Sequence, residues 1–362
     1  MQTIYSLTVN FIERFLANKS SRSELDSLKA AIGESRYSDA LAAVDSLLEK
    51  SGLEIHDIRQ RRIFVSELNF IASVINFKLG NLSACRAGFA KCAAVRHLSA
   101  YSSLFMAAAA DSRQSRSEAH GYIAQYASGG SDYHYFKLMD LKISFEDGDY
   151  EKAAREAKNL IDVLSARKND VKLVPPVEFN IIDAFYIKSL IESAFELKNF
   201  LYEILFIAAE SNFNTDNYET AFEYYKEASF CRDDSGTQAA CFYKMACSKM
   251  RVSDFITARS LLEKTLEIAG GNGRGAPGYD CVLLDLANLY EYHFGENEKA
   301  VEALSGYASA NPGDTDAVLR LAALLYENGR YNEAVVYLGG ALAGEGENRF
   351  DCAMLTAKCH YA

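Results

Sequence analysis

The residues able to do chemistry in this chain are spaced in ways that deny them most of it. Eight cysteines occur singly: Cys85, Cys92, Cys231, Cys241, Cys247, Cys281, Cys352 and Cys359. No CxxC pair is present, so neither zinc-ribbon nor dithiol redox spacing arises. Six histidines (His56, His97, His120, His134, His293 and His360) could act as bases or metal ligands. The one His beside a Cys is His360, next to Cys359, and neighbouring residues point to different faces of a helix. The stretch Gly270-Gly271-Asn272-Gly273-Arg274-Gly275 is glycine-rich. A phosphate cradle needs a strand before it and a helix start with Lys-Ser/Thr after it, and this one follows a helix. The acidic run Glu146-Asp147-Gly148-Asp149 is too short for a calcium loop and lacks its later glutamate. The reading is a non-enzyme with no cofactor, no metal and no catalytic residue.

Composition agrees with a binding role. The chain has 362 residues, 49% of them hydrophobic, and only four prolines, which favours long helices over several small cores. A net charge of −11 repels phosphate backbones, so nucleic acid is not an expected partner. The basic cluster Arg59, Arg61 and Arg62 reads as a solvated helix start balanced by Glu54 and Asp57. Single cysteines in helical stretches pack as small hydrophobes and suit a reducing compartment. A cytoplasmic location is expected on that ground; periplasmic and nuclear locations, and a disulfide-bearing exported form, stay open. The apolar segment Ile4–Leu16 is broken by Asn10, Glu13 and Arg14 and has no basic region before it, so it is not a clean signal peptide. No apolar run reaches the ~20 residues of a membrane span.

The elements that must position any functional residue repeat. Residues 315–347 place Val318, Leu321, Ala322 and Leu325 on one helical face, turn at Asn328-Gly329, then place Tyr331, Ala334, Leu338 and Ala341 on another. Positions equivalent to Ala334 are Ala300, Ala258, Ala221, Ala153, Ala119, Cys85 and Ala40, so seven of the eight are alanine. An aromatic residue stands three positions earlier at Tyr331, Phe255, Tyr218, Tyr150 and Tyr37. Successive spacings include 34 residues three times and 68 once. Two helices joined by a short turn approach closely only where a small side chain sits at their crossing.

This pattern resembles the tetratricopeptide repeat, a helix-turn-helix unit of about 34 residues. The resemblance implies an all-α fold: a right-handed superhelical solenoid of antiparallel helix pairs, about eight repeats, with a leading N-terminal helix and a partial C-terminal repeat. We expect an N-terminal array over residues 1–165, an inserted loop at 166–176 ending in Pro175-Pro176, and a C-terminal array over 177–362. Residues 177–197 are either a degenerate repeat or an extra helix. The Ala300 unit is expected to carry one extra residue in its turn, around His293–Gly295. The last stretch, from Asp351, points Met354, Leu355 and Cys359 inward. It is either a cap or part of a longer protein; the second, or a further partner surface, is the expectation.

In this family the first helices line a concave groove that takes a peptide or a helix. Carried over by register, the ligand-binding positions are Phe70, Phe77, Tyr101, Tyr135, Phe145, Phe206, Glu210, Phe213, Tyr243, Asn288, Glu291 and Tyr326. Glu67, Val74, Leu104, Leu138, Lys142, Glu203, Met250, Leu284 and Leu319 accompany them. Aromatics supply large contact area at low entropic cost. The acids favour a partner segment that is basic and apolar. Co-chaperone repeats grip a C-terminal carboxylate through cations in adjacent units. Here only Lys142 and Asn288 resemble that set, and they lie in distant repeats.

The expected function is a protein-binding scaffold or adaptor within a larger assembly. Alternatives are the interaction half of a larger regulatory or enzymatic protein, and a peptide-sensing regulator. Homo-oligomerisation through the helix at residues 3–17 is a further expectation.

Overall fold

The computed structural model describes residues 19–55, 57–92, 95–110, 113–127, 134–166, 190–191, 199–269, 280–343 and 348–362. The expected helix at 3–17, the loop after Ala166, most of 177–197 and the glycine-rich stretch at 270–278 lie outside the described residues. All regular structure among the described residues is helical. The chain forms two compact units, Met1–Ile207 and Ala208–Ala362.

Among its described residues the first unit holds four helix pairs. They are α1 (Lys19–Gly33) with α2 (Tyr37–Glu54), α3 (Ile58–Lys78) with α4 (Leu82–Cys92), α5 (Arg96–Ala108) with α6 (Arg113–Ala127), and α7 (His134–Glu146) with α8 (Tyr150–Ala166). Helix α9 (Phe200–Asn214) carries the unit boundary. The second unit continues with α10 (Tyr218–Ser229), α11 (Ser235–Arg251), α12 (Phe255–Ile268), α13 (Asp280–Asn288), α14 (Asn297–Ala310), α15 (Thr315–Glu327), α16 (Tyr331–Ala343) and α17 (Arg349–Tyr361). Most consecutive helices pack together, and first helices of neighbouring pairs also touch, as α3 does α5 and α5 does α7. Each unit is thus a solenoid, and each pair buries its neighbours' apolar faces.

The notch residues behave as their size requires. Ala40, Cys85, Ala153, Ala221, Ala258, Ala300 and Ala334 are wholly buried, and Ala119 almost so. Apart from Ala119, their backbone amides donate to the carbonyl of the residue just before the second helix, as in Ala153 to Asp149 (2.9 Å) and Ala221 to Asn217 (3.0 Å).

Five residues before each of seven notch positions the backbone turns left-handed: Ser35, Gly80, Gly148, Asp216, Ser253, Gly295 and Gly329 all have φ between 57° and 81°. The closing hydrogen bonds recur as well. Asn81 N donates to Asn76 O at 2.9 Å, Asp149 N to Ser144 O at 3.0 Å, Asn217 N to Asn212 O at 2.8 Å, and Arg330 N to Leu325 O at 2.8 Å. This is the Schellman termination, which satisfies carbonyls the helix end leaves free. Glycine takes that conformation without strain; Ser35, Asp216 and Ser253 adopt it at a cost.

The Ala300 unit departs from expectation. Its turn has the ordinary length, with Gly295 five residues before Ala300. The extra residue lies upstream, in a π-helical turn at Leu289–Phe294, where Glu296 N reaches back to Tyr290 O at 2.8 Å. Widening one turn to a longer hydrogen-bond loop absorbs an inserted residue without breaking the helix.

Candidate interaction faces on the first helices

In the first unit, helices α3, α5, α7 and α9 surround a concavity of about 270 Å³. Phe77, Ala107, Ala108, Tyr135, Lys142 and Glu203 line it. Two of the twelve expected site residues, Phe77 and Tyr135, therefore meet at one place, together with the accompanying Lys142 and Glu203. The Lys142 ammonium pairs with the Glu203 carboxylate.

Three expected groove residues are not on the surface. Phe70, Tyr101 and Tyr135 are 0%, 1% and 2% exposed. Phe70 stands edge-on to Phe89 (5.1 Å) and Phe105 (6.1 Å), and Tyr101 lies 6.3 Å from Phe70. Tyr135 stacks on Phe200 at 5.6 Å and contributes to the lining of the concavity. Glu67, Val74, Leu104 and Leu138 are buried as well. Helical period identifies the side of a helix that turns away from its own partner. It does not separate the part that meets the next first helix from the part that meets solvent.

Phe145, Phe213 and Tyr326 share another role. Each is half-buried at the end of a first helix and packs on the aromatic that opens the second: Phe145 on Tyr150 (5.5 Å), Phe213 on Tyr218 (5.3 Å), Tyr326 on Tyr331 (5.3 Å). These pairs, five residues apart across the left-handed turn, staple each hairpin. Phe206 is half-buried, with its ring 5.6 Å from Tyr202.

In the second unit the expected residues are joined by partners that periodicity missed. Lys244 on α11 contacts Glu210 at 2.7 Å, and the Tyr225 hydroxyl also donates to Glu210 at 2.8 Å. The Tyr243 hydroxyl donates to Asp285 on α13 at 3.0 Å. Arg320 on α15 donates to Asn288 at 2.7 Å and to Glu291 at 2.9 Å. Polar rungs thus cross from one first helix to the next. The signal in the sequence was a charge of opposite sign about one repeat away. Glu210, Asn288 and Glu291 are occupied by neighbours within the protein, so the attraction expected for a basic partner is locally neutralised. Tyr292, absent from the sequence-based set, is 65% exposed with the Arg320 guanidinium 5.0 Å from its ring.

Burial raises the Asp285 carboxyl above the usual carboxylate range, and the hydrogen bond from Tyr243 offsets only part of this. Burial, then the nearby Cys281, pushes the Tyr243 phenol far up. Cys247 beside it is pushed up to about 11, and Cys85, Cys92 and Cys241 to about 12, all chiefly by burial. These thiols stay protonated at neutral pH, the form that neither attacks electrophiles nor binds metal. Among the described residues no group of three or more His, Cys, Asp or Glu side chains could hold a metal ion. No helix among them is long and apolar enough to cross a membrane.

A tetratricopeptide repeat family model matches residues 291–359. No curated protein sequence matches the chain. Among solved structures, that of MamA is 19% identical with a TM-score of 0.37, covering 59% of this chain and 95% of that one. The apo form of RapI is 11% identical with a TM-score of 0.44, covering 94% and 79%. A Rap protein complexed with competence and sporulation factor is 13% identical with a TM-score of 0.39, covering 95% and 96%.

Proposed function

We propose that this chain, whose residues 291–359 match a tetratricopeptide repeat model, is a non-catalytic scaffold that holds a peptide or helical segment of another protein against its first helices. The observation that carries the reading is the set of large side chains those helices leave partly open: Phe77 and Phe206 in the first unit, Tyr243, Tyr292 and Tyr326 in the second. Partly exposed aromatics flanked by neutralised polar rungs supply contact area that loses little on desolvation. The partner segment is held mainly by apolar and hydrogen-bonding contacts, since the acids already have cations. The first-unit concavity is wide enough for one apolar side chain, with Lys142 and Glu203 at its edge.

The test is capture of partners from native extract, identification of the bound segment, and titration of that synthetic segment by calorimetry. Phe206→Ala and Tyr292→Ala are expected to weaken binding at least tenfold while thermal midpoints stay within a few degrees. Val336→Ala, on the outer face of α16, should change nothing. Binding that both aromatic variants leave intact would refute the proposed face.

A further inference from the structure

Helix α17 is apolar on two opposite sides. Cys352 and Cys359 are buried and Leu355 packs on the core of the second unit, which fixes one side. Phe350, Met354, Ala357 and Tyr361 are all exposed, Phe350 by 76% and Tyr361 by 96%. At 100° per residue these four fall within roughly 60° of one another, along ~16 Å of helix. A stripe of this kind on a surface helix marks an interaction face.

The charges beside the stripe identify its occupant. One flank carries Asp351 near the start of the helix and Lys358 near its end. Neither has an ion-pair partner among the described residues. When two copies of a helix pair antiparallel about a two-fold axis, each flank faces its own counterpart reversed end to end. An axis passing near Met354–Leu355 therefore sets Asp351 of each copy beside Lys358 of the other, twice. It also directs each Phe350 toward the end of the stripe that carries Tyr361. Parallel pairing would instead set Lys358 beside His360, a less favourable neighbour. We infer that α17 is a self-complementary docking helix, through which two copies of this chain associate antiparallel with Asp351–Lys358 ion pairs flanking a Phe350–Met354–Tyr361 seam.

The contact is isologous, so it closes at two copies. One helix of 13 residues offers less area than a standard stable interface, so the association is expected to be weak and concentration-dependent. This association is independent of the partner-binding face on the first helices.

Sedimentation equilibrium of the full chain from about 1 to 300 µM reads the pairing directly. The wild type is expected to pass from monomer to dimer. Phe350→Glu should remain monomeric throughout, with unchanged far-ultraviolet circular dichroism because the side chain is exposed. Asp351→Lys and Lys358→Asp should each weaken association at least tenfold, and the double variant D351K/K358D should restore it. A wild type that stays monomeric overturns the inference, since the stripe then serves something else. A dimer indifferent to Phe350→Glu overturns it too, because self-association then runs through another surface. Failure of the double variant to recover would sink the antiparallel arrangement.

Discussion

Arg320 lies across Glu291, its Nε 2.9 Å and its Nη2 2.5 Å from the same carboxylate oxygen, and so ties α15 to the π-helical turn that follows α13. Both side chains are mostly covered, at 25% and 17% exposure. Glu291 and Tyr292 of the widened turn both contact Arg320, which makes that turn part of the repeat interface. Arg320→Ala leaves Glu291 and Asn288 without their donor. The expected loss is about 1–3 kcal/mol by urea denaturation. In a double-mutant cycle with Glu291→Ala the coupling should reach roughly 1 kcal/mol; a value within error of zero would make the rung incidental.

Ala221→Leu and Ala258→Leu push three extra carbons into crossings with no space for them, since both alanines are fully buried. Each should cost about 1–3 kcal/mol, read as a lower denaturation midpoint. Unchanged stability in both would mean that the helix crossings lie elsewhere.

The left-handed turns give a paired prediction of opposite sign. Ser253 has φ 62°, a conformation a side chain resists, so Ser253→Gly should raise stability by about 0.5–1 kcal/mol. Gly329 has φ 72° and open space where a Cβ would stand, so Gly329→Ala should cost about 1 kcal/mol through backbone conformation alone. Asp216→Gly should gain less than Ser253→Gly, because Asp216 also accepts a hydrogen bond from the Tyr218 hydroxyl at 2.5 Å. Differential scanning of the three variants reads the order, and a gain on Gly329→Ala would contradict it.

Asp285 makes stability depend on pH. Burial raises its folded pKa above the unfolded value of about 4, so the folded state binds this proton more readily. The contribution is therefore full below the unfolded pKa and is lost as pH rises through the folded one. Asp285→Asn can still accept from Tyr243 and carries no charge. Its stability relative to wild type should rise over the range in which pH climbs above the unfolded value of about 4 and through the raised folded one. A difference that stays flat over that range would show the carboxyl to be unperturbed.

How much of this was legible in the residue order follows from the range of each interaction. The notch alanines, the aromatic that opens each second helix and the turn glycines are local features set by neighbours within a few positions. Period and side-chain size located the notch positions from Ala40 to Ala334 because a helix crossing has the same steric demand in every repeat. Asp216 and Ser253 gave no such sign, since neither residue type announces a left-handed backbone; the Schellman hydrogen bonds around them impose it. Likewise Phe70 and Phe77 are both aromatics of α3, seven residues apart and on one face. Only the arrival of Phe89, Tyr101 and Phe105 from α4 and α5 covers the first completely and leaves the second at the rim of a concavity. Glu210 and Glu291 read as free acids for the same reason, because Lys244 and Arg320 reach them from a repeat away. The chain's order determined the repeating hairpin, whose contacts are short in sequence. Tertiary packing decided which aromatics and charges remain open to a partner, because that depends on what the neighbouring repeat covers.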